Sequence, residues 1–227
     1  MSAPVKEILQ RSVRLDLAGA ALNGDLAVPA GALGLVVFAH GRGSSRHSSR
    51  NSAVAEVMQR AGLGTLLLDL LTERVEQTDV ITAEFRFDIP LLGDRVAAAV
   101  DWAAAYAATS SLPVGVFGAS TGAAAALIAA AERPAVRAVV SRGGRPDLAD
   151  EALESVAAPT LLIVGGRDEV VIELNRQAFA RLSGPKELQI VAGATHLFEE
   201  RGTLEEVSRL ARDWFVRHLG APSAPPA

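Results

Sequence analysis

The sequence predicts an α/β fold in which a mainly parallel central sheet carries helices on both faces. Apolar runs of strand length alternate with segments of helical periodicity along most of the chain. Several of these runs are continuously apolar, which is typical of strands buried on both faces. Strands that alternate with helices imply right-handed crossovers, and right-handed crossovers imply parallel pairing.

The first two strands are predicted at residues 13–17 and 22–28. Turn residues at Asn23, Gly24 and Gly31 punctuate them, so we expect an antiparallel pair at a sheet edge. Six further strands are expected at residues 33–39, 65–71, 113–117, 136–141, 160–164 and 187–191.

Helices are expected where apolar residues between the strands recur at helical spacing. Asp88 and Pro90 indicate the start of one helix, because aspartate is a favoured N-cap and proline is tolerated in a first turn. Residues 72–87 show no strong period and are predicted to form a long loop, which is often a functional feature. The expected helices are residues 51–61, 88–108, 123–133, 148–156, 171–182 and 204–219.

The chain of 227 residues is predicted to form one domain over residues 1–219, with a disordered tail at 220–227. Connections after the later strands are short, so no large lid is expected. A formal net charge of −4 gives no general attraction to nucleic acid or to an anionic membrane. No apolar run approaches the roughly 18 residues of a membrane-spanning helix. A cytoplasmic protein is therefore expected, with its oligomeric state left open.

The central motif is Gly118-Ala119-Ser120-Thr121-Gly122, between a predicted strand and an alanine-rich helix. A G-x-S-x-G turn in this context is typical of a nucleophile elbow, whose glycines relieve clashes in a cramped turn. The helix N-terminus behind the serine favours developing negative charge. Ser120 is therefore the predicted nucleophile, and the backbone N–H of Thr121 is an expected donor to the oxyanion.

A serine nucleophile needs a general base and a carboxylate that orients the base. His196 follows the last predicted strand and is the predicted base. Asp168 follows the fifth buried strand and is the predicted orienting group, with Asp147 as its competitor. Both strands end at the same sheet edge as Ser120, where ligand sites gather in folds of this class.

The loop after the first buried strand, His40-Gly41-Arg42-Gly43, is predicted to supply the second oxyanion donor from the backbone of Arg42. His40 either supports this loop or faces the substrate, and Gly41 allows a close approach. Arg142 is a candidate substrate-binding residue. It belongs with Arg42, Arg46, Arg50 and Arg145 to a group that either binds a carboxylate or phosphate of the substrate or forms a solvated rim.

The order Ser120, Asp168, His196 behind an H-G-x-G loop resembles the α/β-hydrolase fold. In its small form without a large lid, the chain resembles the dienelactone hydrolase family from about residue 13 to residue 219. The resemblance implies a Ser-His-Asp triad and no metal or organic cofactor. Members of that family carry cysteine at the nucleophile position, whereas this chain has Ser120 and no cysteine. A serine esterase is therefore expected rather than lactone specificity.

The predicted function is a serine hydrolase that cleaves small soluble carboxylic esters through an acyl-enzyme intermediate. Three alternatives remain: a lactone hydrolase of the dienelactone type, a nucleotide-binding α/β enzyme, and a hydrolase-like binding protein with an unused triad. The glycine-serine turn before a helix could cradle a phosphate, as the nucleotide alternative requires. However, neither G-x-G-x-x-G nor G-x-x-x-x-G-K-[ST] occurs in the chain.

Overall fold

The computed structural model describes residues 7–17, 20–41, 45–82 and 85–220. The tail predicted to be disordered lies outside these ranges, except for Gly220. Eight strands form one sheet. Their bounds are β1 (Ile8–Leu17), β2 (Ala20–Pro29), β3 (Leu35–Ala39), β4 (Gly64–Leu68), β5 (Val114–Ala119), β6 (Val136–Arg142), β7 (Thr160–Gly165) and β8 (Lys186–Val191).

The strands lie in the spatial order β1-β2-β4-β3-β5-β6-β7-β8. The pairs β1–β2 and β2–β4 are antiparallel, and the remaining neighbours are parallel. The predicted mainly parallel sheet and the antiparallel pair at its edge are therefore confirmed. The observed edge strands are longer than predicted, with Ile8 opposite Pro29 at one end of the ladder and Leu17 opposite Ala20 at the other.

Helices cover both faces of the sheet, as predicted. Their bounds in the described chain are α1 (Ser49–Arg60), α2 (Glu73–Thr82), α3 (Ile89–Ala105), α4 (Gly122–Glu132), α5 (Glu169–Arg181) and α6 (Thr203–Leu219). One apolar layer contains buried residues of α3, α4 and α5, and the other contains those of α1 and α6. No helix of the described residues has the length and apolar character needed to cross a bilayer.

Strand β3 shows how a continuously apolar strand joins the two layers. Val37 belongs to the layer of α3 and α4, whereas its neighbour Phe38 belongs to the layer of α1 and α6. Phe38 contacts Phe117 of β5 with ring centroids 4.9 Å apart. Successive side chains of a strand point to opposite faces, so a strand covered on both sides has no polar positions.

The prediction of a long loop at residues 72–87 is wrong, because most of this segment is the helix α2. Thr72 precedes the helix, and its carbonyl accepts from the N–H of Glu76 at 2.8 Å. Glu73 and Glu76 lie in the first turn, where negative charge favours a helix. Much of α2 is exposed, so the apolar stripe that reveals a packed helix is missing.

The helix predicted at residues 148–156 is a 3₁₀ segment, Pro146–Ser155, with a break at Asp150. The φ of Asp150 is 43° and its ψ is −120°, which no helix tolerates. The periodicity of apolar residues here reflects the burial of Ala149 and Leu153 against the core rather than a regular α-helix.

Candidate active site

Ser120 occupies a sharp turn between β5 and α4. Its φ is 53°, a left-handed conformation that costs a non-glycine residue roughly 1–3 kcal/mol. The turn is held on both sides of the serine: its N–H donates to the carbonyl of Arg142 at 3.3 Å, and its own carbonyl accepts from Arg145 N–H at 3.0 Å. Gly122 is required by space, since a Cβ there would lie 2.3 Å from the carbonyl oxygen of Ala39.

Thr121 is the N-cap residue of α4 and follows Ser120 directly. Within the described chain, its backbone N–H donates to no backbone or side-chain acceptor. This N–H lies at the positive end of the helix dipole, where an oxyanion is stabilised. Arg42, the second predicted donor, lies outside the described residues.

His40 and Gly41 follow β3 directly: Gly41 lies against Ser120, and His40 is hydrogen-bonded to the loop and to the segment after β4. A Cβ on Gly41 would lie 2.5 Å from the Cβ of Ser120, so only glycine allows this approach. His40 is buried, and both ring nitrogens are engaged: Nδ1 donates to the carbonyl of Gly41 at 3.0 Å, and Nε2 accepts from the N–H of Leu70 at 3.1 Å. The carbonyl of Leu70 accepts in turn from Arg95. These bonds tie the loop to the end of β4 and to α3, and they leave His40 no nitrogen for a substrate.

The bonding of His40 predicts a pH dependence of stability. Burial lowers the pKa of His40 below the value near 6.5 of a solvated imidazole. The unfolded chain therefore takes up this proton first as the pH falls, so the free energy of unfolding should decrease from about pH 6.5 downward. Burial also lowers the pKa of His218, which adds to the slope of the free energy of unfolding against pH.

In urea unfolding between about pH 7.5 and 5, the free energy of unfolding of His40→Gln should depend less steeply on pH than that of the wild type. The exposed His47→Gln is the control, and an equal slope in the His40 variant would contradict the assignment.

His196 and Asp168 are directly hydrogen-bonded. The Nδ1 of His196 donates to Oδ2 of Asp168 at 2.6 Å. Asp168 is the N-cap residue of α5, yet its side chain makes no capping bond and is committed to the imidazole. The two loops are also joined through the backbone, since Arg167 N–H donates to the carbonyl of Ala194 at 2.9 Å. With Nδ1 fixed, Nε2 is the nitrogen left for proton transfer.

Ser120 and His196 line one pocket of about 300 Å³. The other lining residues are Gly41, Ser48, Arg50, Ala119, Arg142, Gly143 and Leu197. Of the predicted site residues, the structure thus brings Ser120, His196, Gly41 and Arg142 together, with Asp168 behind the histidine.

Asp147, the competing carboxylate, and the nearby Asp69 are both paired with arginines. Asp147 accepts from Nε and Nη2 of Arg145 at 2.9 and 2.7 Å. Asp69 accepts from the backbone N–H of Arg46 at 2.8 Å and pairs with its guanidinium. Because they are paired with carboxylates, Arg46 and Arg145 are not free to bind an anionic substrate group at the sheet edge that carries Ser120. In the part of the chain that the structure describes, no group of three or more acidic or histidine side chains is arranged to hold a metal.

Arg142 and Arg50 are the arginines among the described residues that line the pocket. The guanidinium of Arg142 lies 5.9 Å from the ring centroid of Phe117, and the residue is half-buried. Burial, together with the charge of Arg50, lowers the pKa of Arg142 to about 10.

Sequence reasoning missed Ser48, Gly143 and Leu197 as pocket residues. Ser48 had a detectable signal, because a serine three residues before Asn51 is a typical N-cap; its Oγ accepts from the N–H of Asn51 at 3.4 Å. Gly143 has a φ of 49° and Leu197 follows His196, but no local pattern shows that either one lines the pocket.

The model of the dienelactone hydrolase family matches residues 22–217. A crystal structure of a dienelactone hydrolase from Anabaena variabilis is 54% identical, with a TM-score of 0.92, over 93% of this chain and 98% of that chain. Est1E from Butyrivibrio proteoclasticus, at 18% identity, shares the fold with a TM-score of 0.76 over 92% of this chain and 99% of its own.

Two proteins from strains of Mycobacterium tuberculosis, each named "Putative phosphoribosyl transferase", are 60% identical over 200 residues. The match covers 88% of this chain and 44% of theirs, so the chain spans less than half the length of these relatives. The family model and the Anabaena relative together show that the chain belongs to the dienelactone hydrolase family, within the α/β-hydrolase superfamily.

Proposed function

We propose that the chain is a serine hydrolase that cleaves small soluble carboxylic esters through an acyl-enzyme intermediate on Ser120. One observation carries the proposal: Ser120, in its strained turn, shares a pocket with His196, whose Nδ1 is held by Asp168 at 2.6 Å. A serine hydroxyl becomes nucleophilic when an oriented imidazole accepts its proton. Strain at a turn of this kind is typical of functional sites.

The proposed reaction has two halves. Ser120 Oγ adds to the ester carbonyl carbon while its proton passes to Nε2 of His196, and Thr121 N–H donates to the resulting oxyanion. The carbon–oxygen bond to the alcohol breaks, and the alcohol leaves with the proton from the imidazolium. Water then attacks the acyl group with His196 as base, which releases the acid and restores Ser120. Asp168 stabilises the imidazolium in both halves.

A lactone is the second candidate substrate. The relative from Anabaena variabilis is described as a dienelactone hydrolase and is 54% identical. A lactone is a cyclic ester, so the same steps open it, and the product remains one hydroxy acid. The transferase named for the Mycobacterium tuberculosis proteins is not proposed for this chain, because the match covers only 44% of their length.

The pocket of about 300 Å³ is at the small end of ligand sites, which favours short acyl groups. We therefore expect kcat/KM for p-nitrophenyl esters to be highest for acetate to butyrate and to fall at least about tenfold for long chains, a loss of about 1.4 kcal/mol of transition-state binding.

An enol-lactone assayed beside the ester series separates the two candidate substrates. The proposal fails if folded protein hydrolyses neither esters nor lactone and a fluorophosphonate probe leaves it unlabelled.

A further inference from the structure

The pocket is lined by a half-buried cation, Arg142, that the proposed chemistry does not use. Nη1 of Arg142 is buried and has no hydrogen-bond partner among the described residues. A buried guanidinium N–H without an acceptor is unfavourable, and native structures normally satisfy such groups. Nη1 itself has no accessible surface, so a ligand in the pocket would bond to the other N–H groups of Arg142, which lines the pocket beside Ser120.

The N-terminus of α1 lines the same pocket as Arg142. Ser48, its N-cap, and Arg50, in its first turn, both line the pocket. The backbone N–H groups of Ser49 and Arg50 donate to no acceptor within the residues that the structure describes. Free N–H groups at the positive end of a helix dipole are a characteristic site for phosphate.

The charges around this position are unbalanced. Arg50 Nη1 donates to the exposed Glu199 at 3.4 Å, a long contact that neutralises Arg50 only in part, and Arg50 Nε is buried with no partner in the described chain. No carboxylate raises the pKa of Arg142; the neighbouring charge that acts on it is Arg50, which lowers it. Two guanidinium groups beside one exposed carboxylate leave an excess of positive charge, which favours an anionic ligand.

We propose that the space between Arg142 and the N-terminus of α1 is a phosphate subsite, and that the ester cleaved at Ser120 carries a phosphomonoester group there. The phosphate subsite does not depend on the proposed function. Only the second part of the proposal, that the bound ester is cleaved at Ser120, rests on the serine hydrolase. A phosphate has enough oxygens to accept from Arg142, from Arg50 and from the α1 backbone together. A carboxylate has two oxygens and one charge, and it satisfies this donor set less completely.

Calorimetric titration of the whole chain with inorganic phosphate tests the subsite without requiring any hydrolysis. The wild type should bind one phosphate, and Arg142→Gln should weaken binding by roughly tenfold or more, since it removes hydrogen bonds between two charged groups. The matched control is Arg137→Gln on the exposed side of the same strand, which should bind like the wild type. Circular dichroism and thermal melts show whether each variant is folded.

If Arg142→Gln does not fold, Arg50→Gln on α1 is the second variant, with the same expected loss. Succinate is titrated in parallel: weaker binding than phosphate supports the assignment, and equal or tighter binding overturns it. The subsite is also overturned if folded wild-type protein binds no phosphate, or if Arg142→Gln and Arg50→Gln both bind phosphate as the wild type does.

A kinetic arm separates this proposal from the proposed function. Phosphate should inhibit hydrolysis of p-nitrophenyl acetate competitively in the wild type, and at least about tenfold more weakly in Arg142→Gln. Phosphate binding without any ester hydrolysis would leave the subsite standing and refute the serine hydrolase. Ester hydrolysis that phosphate does not inhibit would support the serine hydrolase and refute the subsite.

Discussion

Ser120→Ala should lower kcat for p-nitrophenyl acetate by about 10⁴-fold or more, because it removes the hydroxyl on which the acyl intermediate is proposed to form. The fold should survive, since alanine meets the same backbone strain at a φ of 53° and the turn is held by backbone bonds. Steady-state kinetics on purified protein, with thermal melts of each variant, make the measurement.

Ser111→Ala is the matched control for this variant. Ser111 is exposed and precedes β5, at the opposite end of the strand that leads to Ser120. The control should keep wild-type kcat and wild-type stability. If Ser120→Ala stays within a few fold of wild-type kcat, the serine mechanism is refuted.

Asp168→Asn should lower kcat by about 10⁴-fold while leaving the structure intact, the size of effect seen when a triad carboxylate becomes an amide. The reason is the 2.6 Å hydrogen bond from His196 Nδ1 to the Asp168 carboxylate. An amide can present its NH₂ group to the imidazole, which then adopts the tautomer that carries its proton on Nε2 and cannot accept one from Ser120. The amide also removes the negative charge that stabilises the imidazolium.

Asp101→Asn is the control for the carboxylate. Asp101 pairs with Arg133 at 3.0 Å on the exposed side of α3, and such surface pairs contribute little. The kcat of Asp101→Asn should match that of the wild type. Should Asp168→Asn retain more than about a tenth of wild-type kcat, the orienting role assigned to Asp168 is wrong.

The sheet was predictable because its signal is local. Continuous apolar runs such as residues 35–39 and alternating residues beside turn signals identify strands without knowledge of their neighbours. The helix α2 was not predictable in this way. Thr72 Oγ1 accepts from the N–H of Val75 at 3.4 Å and two glutamates lie in the first turn, both of which favour a helix. A mostly exposed helix, however, leaves no apolar period in the sequence.

The site was predictable only as far as chain order and strand ends determine it. Ser120, Asp168 and His196 each follow a strand that ends at the same edge, so their proximity follows from topology. The arginine group could not be resolved, because its partners are distant in sequence. Arg46 pairs with Asp25 and Asp69, and only the folded structure shows that Arg142 has no such carboxylate partner within the described ranges.

The most direct test of the serine mechanism is the mass of the protein during turnover. Purified protein is mixed with p-nitrophenyl butyrate, quenched in acid within the first turnovers and digested for peptide mass spectrometry. The mechanism predicts one butyryl group on the peptide that contains Ser120, and none on that peptide in Ser120→Ala. A butyryl group confined to a different residue, or rapid turnover with no acylated peptide while a fluorophosphonate also fails to label Ser120, would contradict it.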